Sequence, residues 1–323
     1  MHLDNLVLLS NRYGSNPDYV LAGGGNTSYK DEKYLYVKAS GTALADITAE
    51  GFVKMDRAAL ERIFAREYSS DPQQREAQIL RDMLAARCPG EESKRPSVEA
   101  LLHHILPWAY VLHIHPAMVN GMTCGQNGAE ACARLFPGAV WVGQIMPGYI
   151  LAKEARAQIK AGTRLLFLEN HGVFLGGESV EEIDAAVARM DAALDAVIAR
   201  RPDADCDVMD AVSSRERFAR IHTTFTPDHM VYCGDRTLFI ESEDELPAHP
   251  PKIVGLKNVG VRVCGCTEKE AETAMALFLD ALKIAVYGES FGGAKPMCDA
   301  LVREINQWEV ERYRKSVSFG GGA

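Results

Sequence analysis

The stretch YVLHIHPAMV, residues 110–119, has two histidines separated by one residue in a largely apolar run. Successive side chains of a β-strand point to opposite faces, so we expect His113 and His115 on the same face of one strand. A lone histidine pair is more often a packing feature than a metal site. With a third ligand nearby, however, the pair is typical of zinc coordination. The stretch therefore predicts a buried strand with two candidate metal ligands.

The segment ENHGVFLGG, residues 169–177, provides the candidate third ligand. His171 lies just past an apolar strand, and the glycine after it lets the backbone turn close to a ligand. Three neutral imidazoles with an open fourth position are typical of a catalytic zinc site. His103 and His104 are adjacent on a predicted helix and point in different directions, so we interpret them as packing or solvent-facing residues.

Composition limits the class of protein. A chain of 323 residues is long enough for two domains or for one large α/β domain. The hydrophobic share of 47% and the charged share of 24% are ordinary for a globular enzyme. The net charge of -9 argues against a nucleic-acid partner or an anionic membrane surface. An anionic substrate would then have to be bound by local positive groups and backbone donors.

The sequence also bears on the cellular compartment. Residues 1–10, MHLDNLVLLS, lack the basic region and apolar core of a signal peptide. No apolar run reaches the roughly 18 residues of a membrane span. The eight cysteines form no C-x-x-C pair, which favours reduced thiols. We therefore expect a cytoplasmic protein.

Apolar segments with strand-like and helical spacing alternate along the chain, which predicts an α/β fold with a central β-sheet flanked by helices. Residues 163–177 are predicted to form two strands around a turn, and residues 179–201 a long amphipathic helix. The polar segment 201–215 is the best candidate boundary. We therefore predict a domain over residues 1–210 and a smaller C-terminal α/β unit over residues 211–323.

Several local expectations follow from turn and capping residues. The composition turns polar between Asp71 and Arg95, and CPGEESKRP, residues 88–96, predicts a loop. Ser97 is the expected N-cap of the helix that follows. HMVYCGDRTLFIES, residues 229–242, predicts a hairpin with a Gly-Asp turn. The tail FGGGA is expected to fray.

Three small-residue segments are candidate anion sites. LAGGGNTSYK, residues 21–30, offers backbone N–H groups to an anion or simply forms a flexible turn. VKASGTA, residues 37–43, ends a predicted strand in small donors. In RPSVEA, residues 95–100, the serine at a helix start suits phosphate. Glu99 beside it suits proton transfer or metal ligation, or is simply a favourable residue for a first helical turn.

The ordered motifs G-G-G-N-T-S, K-A-S-G-T, P-S-x-E, H-x-H-P and N-H-G resemble the class II aldolase/adducin family. That family includes zinc-dependent fuculose-phosphate and rhamnulose-phosphate aldolases and ribulose-phosphate epimerases. The motifs cover roughly residues 20–180. PGYILAKEA (147–155), FTPDHMVYC (225–233) and WEVERYR (308–314) further resemble the aldolase part of long bacterial bifunctional rhamnulose-1-phosphate aldolase/alcohol dehydrogenases. The resemblance implies a class II aldolase-like core with a smaller C-terminal extension.

The resemblance also implies roles for individual residues. The three histidines of the H-x-H and N-H-G motifs match zinc ligands, namely His113, His115 and His171. Glu99 matches the acidic residue that joins the zinc shell or moves a proton, and Tyr149 is the nearest candidate for the catalytic tyrosine. The residues that match phosphate-binding positions are Gly25, Asn26, Ser40, Gly41 and Ser97, with Lys38 adding positive charge beside them. Val98 stands where the family often has a second serine, which weakens the inference of phosphate binding.

The implied reaction is the reversible cleavage of a ketose 1-phosphate, such as rhamnulose 1-phosphate, to dihydroxyacetone phosphate and an aldehyde such as lactaldehyde. The resemblance implies a Zn²⁺ cofactor and a homotetramer with sites at subunit boundaries. Glu99 favours an aldolase, because the epimerases usually have Asp there. The alternatives are an epimerase or another lyase of the family, a non-phosphorylated substrate, or a non-catalytic adducin-like binding protein, a branch that tends to lack the zinc histidines.

Two points lie outside these motifs. His229, in TPDHM, either lines the site or caps a turn. No G-x-G-x-x-G stands at a predicted strand-to-helix junction, so we expect no dehydrogenase activity from this chain itself.

Overall fold

A computed structural model describes residues 2–265 and 267–307 of the chain. The tail FGGGA, the segment WEVERYR and Cys266 lie outside the described residues. Within the described part, none of the helices has both the length and the apolar character that a membrane span requires. The cytoplasmic location stays a prediction.

The helices and strands alternate along most of the chain. The helices are α1 His2–Gly14, α2 Arg57–Ala65, α3 Pro72–Ala85, α4 Ala100–Ile105, α5 Ala117–Thr123, α6 Gly128–Leu135, α7 Tyr149–Gln158, α8 Val180–Asp195, α9 Ala204–Ala211, α10 Arg215–Phe218, α11 Pro227–Cys233, α12 Glu268–Gly288 and α13 Asp299–Gln307. The strands are β1 Asn26–Lys30, β2 Tyr34–Lys38, β3 Phe52–Asp56, β4 Tyr110–Ile114, β5 Val140–Val142, β6 Leu165–Leu168, β7 Gly172–Gly177, β8 Thr237–Ile240, β9 Ile253–Leu256 and β10 Gly260–Val263.

The chain divides into two compact units that alternate along the sequence. The first unit comprises Met1–Ile114, Gly138–Phe167 and Val173–Arg189, and the second comprises His115–Pro137, Leu168–Gly172 and Met190–Ala323. The predicted domain boundary at residue 210 stays a prediction.

A seven-stranded sheet with the order β3-β2-β1-β4-β7-β6-β5 forms the centre of the fold. Strand β4 pairs antiparallel with β1 on one side and with β7 on the other. All five residues of β4 are buried, because the strand is central and apolar residues occupy both of its faces. In this register His113 lies opposite Asn26 on β1 and Phe174 on β7. The predicted α/β fold with a central sheet and flanking helices is confirmed.

The second unit contains a three-stranded sheet with the order β10-β9-β8. Strand β9 pairs antiparallel with β10 and parallel with β8. The predicted hairpin over residues 229–242 is wrong, because its first half is the helix α11. Thr226 is the N-cap of α11 and accepts a hydrogen bond from the His229 amide, and Pro227 occupies the first turn. A proline there has a φ suited to a helix and lacks only an N–H that would have no helical partner.

Two helix starts also differ from expectation. Ser97 is not an N-cap, because α4 begins at Ala100 and Glu99 is its N-cap residue. The polar segment that begins at Asp71 contains α3, whose N-cap Asp71 accepts from the Gln74 amide and is followed by Pro72. Capping residues outweigh polar composition in α3 and the strand-like alternation of residues in α11.

Candidate metal centre

Three histidines converge in the structure. The ligand nitrogens of His113, His115 and His171 all lie within 4.8 Å of one another. The side chain of His113 is fully buried, and His171 is 9% exposed. The structure thus brings together imidazoles that are 58 residues apart along the chain, as the H-x-H and N-H-G motifs predict.

The ring of His113 is held by strand β7. Its Nδ1 lies 3.0 Å from the carbonyl oxygen of Val173, and its ring stacks on Phe174 with the centroids 3.9 Å apart. A carbonyl oxygen only accepts hydrogen bonds, so Nδ1 has the proton and donates it. The Nε2 lone pair is then the one that can bind a metal.

The ring of His115 is held by a carboxylate. Its Nδ1 lies 2.7 Å from Oδ2 of Asp228 at the start of α11. An ionised carboxylate also only accepts, so the same tautomer follows and Nε2 again has the lone pair. Metal-binding histidines in proteins nearly always donate their other N–H to a carboxylate or a carbonyl. The tautomers of both histidines therefore fit a bound divalent metal.

His171 lies in the turn between β6 and β7, with its ring centroid 5.1 Å from that of His115. The preceding residue, Asn170, has a left-handed backbone with a φ of 56°. Asparagine tolerates this region better than most residues. The Asn170 side chain donates to the carbonyl oxygens of Phe225 and Lys295, both at 2.9 Å. These bonds hold the turn that positions His171.

A carboxylate lies beside His113. Oε2 of Glu99 is 3.3 Å from the Nε2 of His113 and accepts a 2.7 Å hydrogen bond from the Asn26 amide nitrogen. Glu99 is 6% exposed, so little water screens this contact. Glu99 is thus close enough to the candidate metal position to serve as a ligand or as a proton carrier.

The side chain of Asn26 has partners on both sides. Its Oδ1 contacts the Nε2 of His103, whose Nδ1 lies 2.7 Å from the Ser28 hydroxyl oxygen. Burial lowers the pKa of His103 to about 3, so the ring is neutral and donates from one nitrogen only. With Nε2 donating to Asn26, the amide is oriented so that its NH₂ group points at Glu99.

Sequence reasoning classed His103 as a packing or solvent-facing residue. His103 is a buried packing residue whose ring meets Phe174 edge-on, and it also orients a residue beside the candidate centre. The available signal was the alternation of Asn26 and Ser28, which places two polar side chains on one face of β1. His104 belongs elsewhere, with its Nε2 3.1 Å from Glu61.

Gly25 has a backbone that a side chain would disturb. Its φ is 63°, and a Cβ there would lie 2.8 Å from the carbonyl oxygen of His113. A glycine is therefore required for the close approach of this loop to β4. Whether Gly25 and Asn26 contact phosphate stays a prediction.

The other predicted phosphate residues lie where two segments meet. The Ser40 amide donates to the Arg95 carbonyl at 2.8 Å, and the Ser97 amide donates to the Lys38 carbonyl at 3.0 Å. These pairings place Lys38 and Ser40 beside Ser97. Gly41 follows with a left-handed φ of 85°. Because the amides of both serines already donate to carbonyls, their hydroxyl groups are the donors that these residues could offer to an anion.

Tyr149 has a different environment from the three histidines. It begins α7, and its ring packs edge-on against Tyr68 and at a tilt against Phe64. Burial raises the pKa of its hydroxyl. Within the described part of the chain, the ring contacts of Tyr149 are with Tyr68 and Phe64, and its catalytic role stays a prediction.

Comparison with known proteins identifies the family. The family model described as Class II Aldolase and Adducin N-terminal domain matches residues 6–197. A curated relative from Bacillus subtilis (strain 168), named "Uncharacterized oxidoreductase YuxG", is 29% identical over 191 residues, which are 55% of this chain and 27% of the relative. The chain thus spans about a quarter of the length of that relative.

Two solved structures illustrate the similarity, and the first of them supports the fold. The N-terminal class II aldolase domain of a conserved protein from Thermoplasma acidophilum is 28% identical, with a TM-score of 0.53 over 60% of this chain and 92% of that domain. An L-fuculose-1-phosphate aldolase from Thermus thermophilus is 14% identical, with a TM-score of 0.39 over 60% of this chain and 90% of that one. Since the family model matches more than half of the chain, the chain belongs to the class II aldolase and adducin N-terminal domain family.

Proposed function

We propose that this protein is a zinc-dependent aldolase that reversibly cleaves a ketose 1-phosphate, such as rhamnulose 1-phosphate, to dihydroxyacetone phosphate and an aldehyde such as lactaldehyde. The convergence of three imidazoles beside a buried carboxylate is the observation on which the proposal mainly depends. Family membership supports the aldolase class, and the rhamnulose-1-phosphate-like substrate is proposed from the resemblance of the sequence motifs alone.

The metal ligands in this proposal are His113, His115 and His171. Their all-nitrogen set suits Zn²⁺, with a fourth position left for substrate oxygens. When bound, Zn²⁺ supplies Lewis-acid stabilisation of the charge that develops on the substrate, an effect on the order of several kcal/mol.

Glu99 is the proposed proton carrier. Its carboxylate would take the proton from, and return it to, the carbon that becomes nucleophilic. The Asn26 amide positions that carboxylate through the 2.7 Å hydrogen bond. A fixed carboxylate loses less entropy in reaching the reactive geometry than a mobile one.

The proposed phosphate site lies where Lys38 and Ser40 adjoin Ser97. The two hydroxyl groups would donate to phosphate oxygens, and the ammonium group of Lys38 would offset their charge. A sugar phosphate is the proposed partner. The homotetramer, with sites at subunit boundaries, is likewise a proposal, and sedimentation of the purified protein tests it.

A substrate panel tests the proposal. Purified protein, loaded with zinc, is incubated with rhamnulose 1-phosphate, fuculose 1-phosphate and ribulose 5-phosphate, and the release of dihydroxyacetone phosphate is followed with and without a chelator. We expect release from one of the two deoxyketose phosphates and its loss with the chelator. Epimerised ribulose 5-phosphate would instead identify an epimerase, and no turnover of any substrate would contradict the proposal.

Matched histidine variants connect the activity to the metal. His171→Ala should lose stoichiometric zinc and at least about 10²-fold in kcat, because Lewis-acid stabilisation is lost. The exposed His249→Ala is the control and should retain both. Unchanged zinc content in His171→Ala would contradict the metal site.

A further inference from the structure

The segment that contacts His115 lies outside the matched family domain. The family model ends at residue 197, whereas α11 begins at Pro227. Helix α11 is short, and its first turn contains the TPDH sequence, residues 226–229, that the proposed reaction does not use. Two of its side chains form buried polar contacts, and one of these contacts is with a candidate metal ligand.

The contact between Asp228 and His115 is short and shielded. The Oδ2 to Nδ1 distance is 2.7 Å, and Asp228 is 5% exposed. A hydrogen bond to an ionised carboxylate is about twice as strong as a neutral one. It fixes the rotation of the imidazole and makes the opposite nitrogen a better metal ligand. The carboxylate is bonded to Nδ1, so it acts on the metal through the ring.

Asp228 is itself held in place by the rest of the TPDH turn. The Thr226 hydroxyl lies 2.7 Å from Nδ1 of His229 and caps the helix. On the other side of the same ring, Nε2 of His229 is 3.3 Å from Oδ2 of Asp280 on α12. His229 is 1% exposed and Asp280 is 7% exposed. The Thr226 cap orders the first turn of α11, and the approach of His229 to Asp280 places that turn against α12, so the carboxylate next to His229 has a defined position.

A second link runs from the same segment to the turn that positions His171. Phe225, directly before Thr226, accepts a hydrogen bond from the Asn170 side chain through its carbonyl oxygen. The same carbonyl lies 3.5 Å from the Cys124 sulfur. Asn170 is the residue directly before His171 and is left-handed. Residues 225–229 therefore touch both a metal-ligand side chain and the turn that precedes another ligand.

We propose that residues 225–229 complete the metal centre from outside the family domain, with Asp228 as the positioning residue for His115. This inference rests on the metal site of the proposed function. It adds that the matched family domain is insufficient for tight metal binding in this protein. It also gives the C-terminal part of the chain a role that is independent of the identity of the sugar.

Metal affinity is the direct measurement. Full-length wild type and variants are stripped of metal, and Zn²⁺ binding is measured by competition with a chromophoric chelator. Loss of such a partner typically costs about 10- to 100-fold in metal affinity. We expect Asp228→Ala to lose about 100-fold, and Asp228→Asn about tenfold, because its amide oxygen accepts from Nδ1 without a charge.

Asp207→Ala is the matched control. Asp207 lies in the same unit, is 7% exposed and pairs with Arg200, so its loss also removes a buried carboxylate. It is not part of the candidate centre, and its variant should bind Zn²⁺ as the wild type does. The absorption spectrum of the Co²⁺ form gives a second readout, which should change in the Asp228 variants and not in the control.

The outcomes separate the two proposals. A wild type that binds no Zn²⁺ would contradict the metal centre and the proposed function together. A wild type that binds Zn²⁺, with equal affinity in any Asp228 variant that folds, would overturn only the positioning role. Thermal unfolding of the metal-free proteins identifies the variants that fold, and Asp228→Asn, which keeps the side-chain shape, decides the question where the alanine variant does not fold.

Discussion

In the regions around His113 and His115, both rings are oriented by a hydrogen bond from Nδ1, but the acceptors differ in kind. The ring of His113 donates to a main-chain carbonyl, that of Val173 on the neighbouring strand β7. The ring of His115 donates to a side chain, that of Asp228, which is 113 residues away along the chain. A single substitution can remove the carboxylate, whereas the carbonyl persists whatever side chain occupies position 173. The orientation of His113 should therefore tolerate substitution of Val173, whereas the orientation of His115 should not tolerate substitution of Asp228.

The two regions also differ in what surrounds the ligand. The His113 region includes Glu99, Asn26 and His103, all within the residues that the family model matches. The His115 region depends on α11, outside that match. Under the proposed function, the carboxylate that moves the proton lies in the first region, and the carboxylate that positions His115 lies in the second.

Glu99→Gln should have the largest effect on the His113 region. The substitution removes the proposed proton carrier and keeps its shape, so kcat should fall by about 10²- to 10⁴-fold. Bound zinc should remain near the wild-type level, because the three histidines are intact. Steady-state kinetics and metal analysis measure the two quantities. Glu61→Gln, beside His104, is the control and should change neither. Loss of zinc in Glu99→Gln would instead identify Glu99 as a metal ligand.

Asn26→Ala should have the next largest effect. It removes a hydrogen bond to an ionised carboxylate, worth about 1.5–3 kcal/mol, which corresponds to about a 10- to 100-fold lower kcat. The predicted role of Asn26 in phosphate binding would raise KM instead. Kinetics over a range of substrate concentrations separates the two roles. An unchanged kcat would contradict the positioning of Glu99 by Asn26.

Lys30, which contacts His103 in the His113 region, should make the free energy of unfolding depend on pH. Its ammonium group donates to the His103 carbonyl, and burial lowers its pKa to about 7 from an ordinary value of 10.5. Between these values the unfolded chain binds more protons than the folded chain, so the free energy of unfolding rises with pH. Lys30→Met lacks this contribution. It should be more stable than the wild type at pH 7, and its advantage should shrink by up to about 1.4 kcal/mol per pH unit above 7.

Urea unfolding at pH 7, 8 and 9 measures this difference between the wild type and Lys30→Met. The exposed Lys269→Met is the control and should show a difference from the wild type that does not vary with pH. A constant difference for Lys30→Met would show that Lys30 keeps its proton in the folded protein across this range.

Substitutions at two helix caps should have the smallest effects, and they test whether the start of α11 influences the His115 region. Thr226 caps α11 and Thr267 caps α12, each accepting from a backbone amide. Replacing either threonine with alanine should lower the free energy of unfolding by about 1 kcal/mol. Only Thr226→Ala should also weaken Zn²⁺ binding, because α11 positions Asp228 against His115, whereas Thr267 caps a helix start that the proposal does not use. Equal zinc affinities in the two variants would argue that the cap of α11 does not influence the centre.

The sequence predicted those parts of the candidate metal centre that depend on residues close together along the chain. The alternation in YVLHIHP predicts strand β4, and the glycine after His171 predicts the turn next to β7. The sequence did not predict α11, because the alternation of residues 229–233 resembles a strand, whereas Thr226 and Pro227 start a helix there. It also did not predict the roles of His103 and Asp228, since each depends on a partner far away along the chain.

The sequence by itself determined the candidate ligand set and the strand that presents two of its members. Spacing along a strand specifies which side chains share a face, and no distant contact is needed for that. The tertiary structure decided which ring nitrogen faces the centre, because that depends on whether a carbonyl or a carboxylate meets the other nitrogen. It also decided that Asn26 points its amide nitrogen at Glu99, because only the packing of α4 against β1 places the ring of His103 beside the amide oxygen.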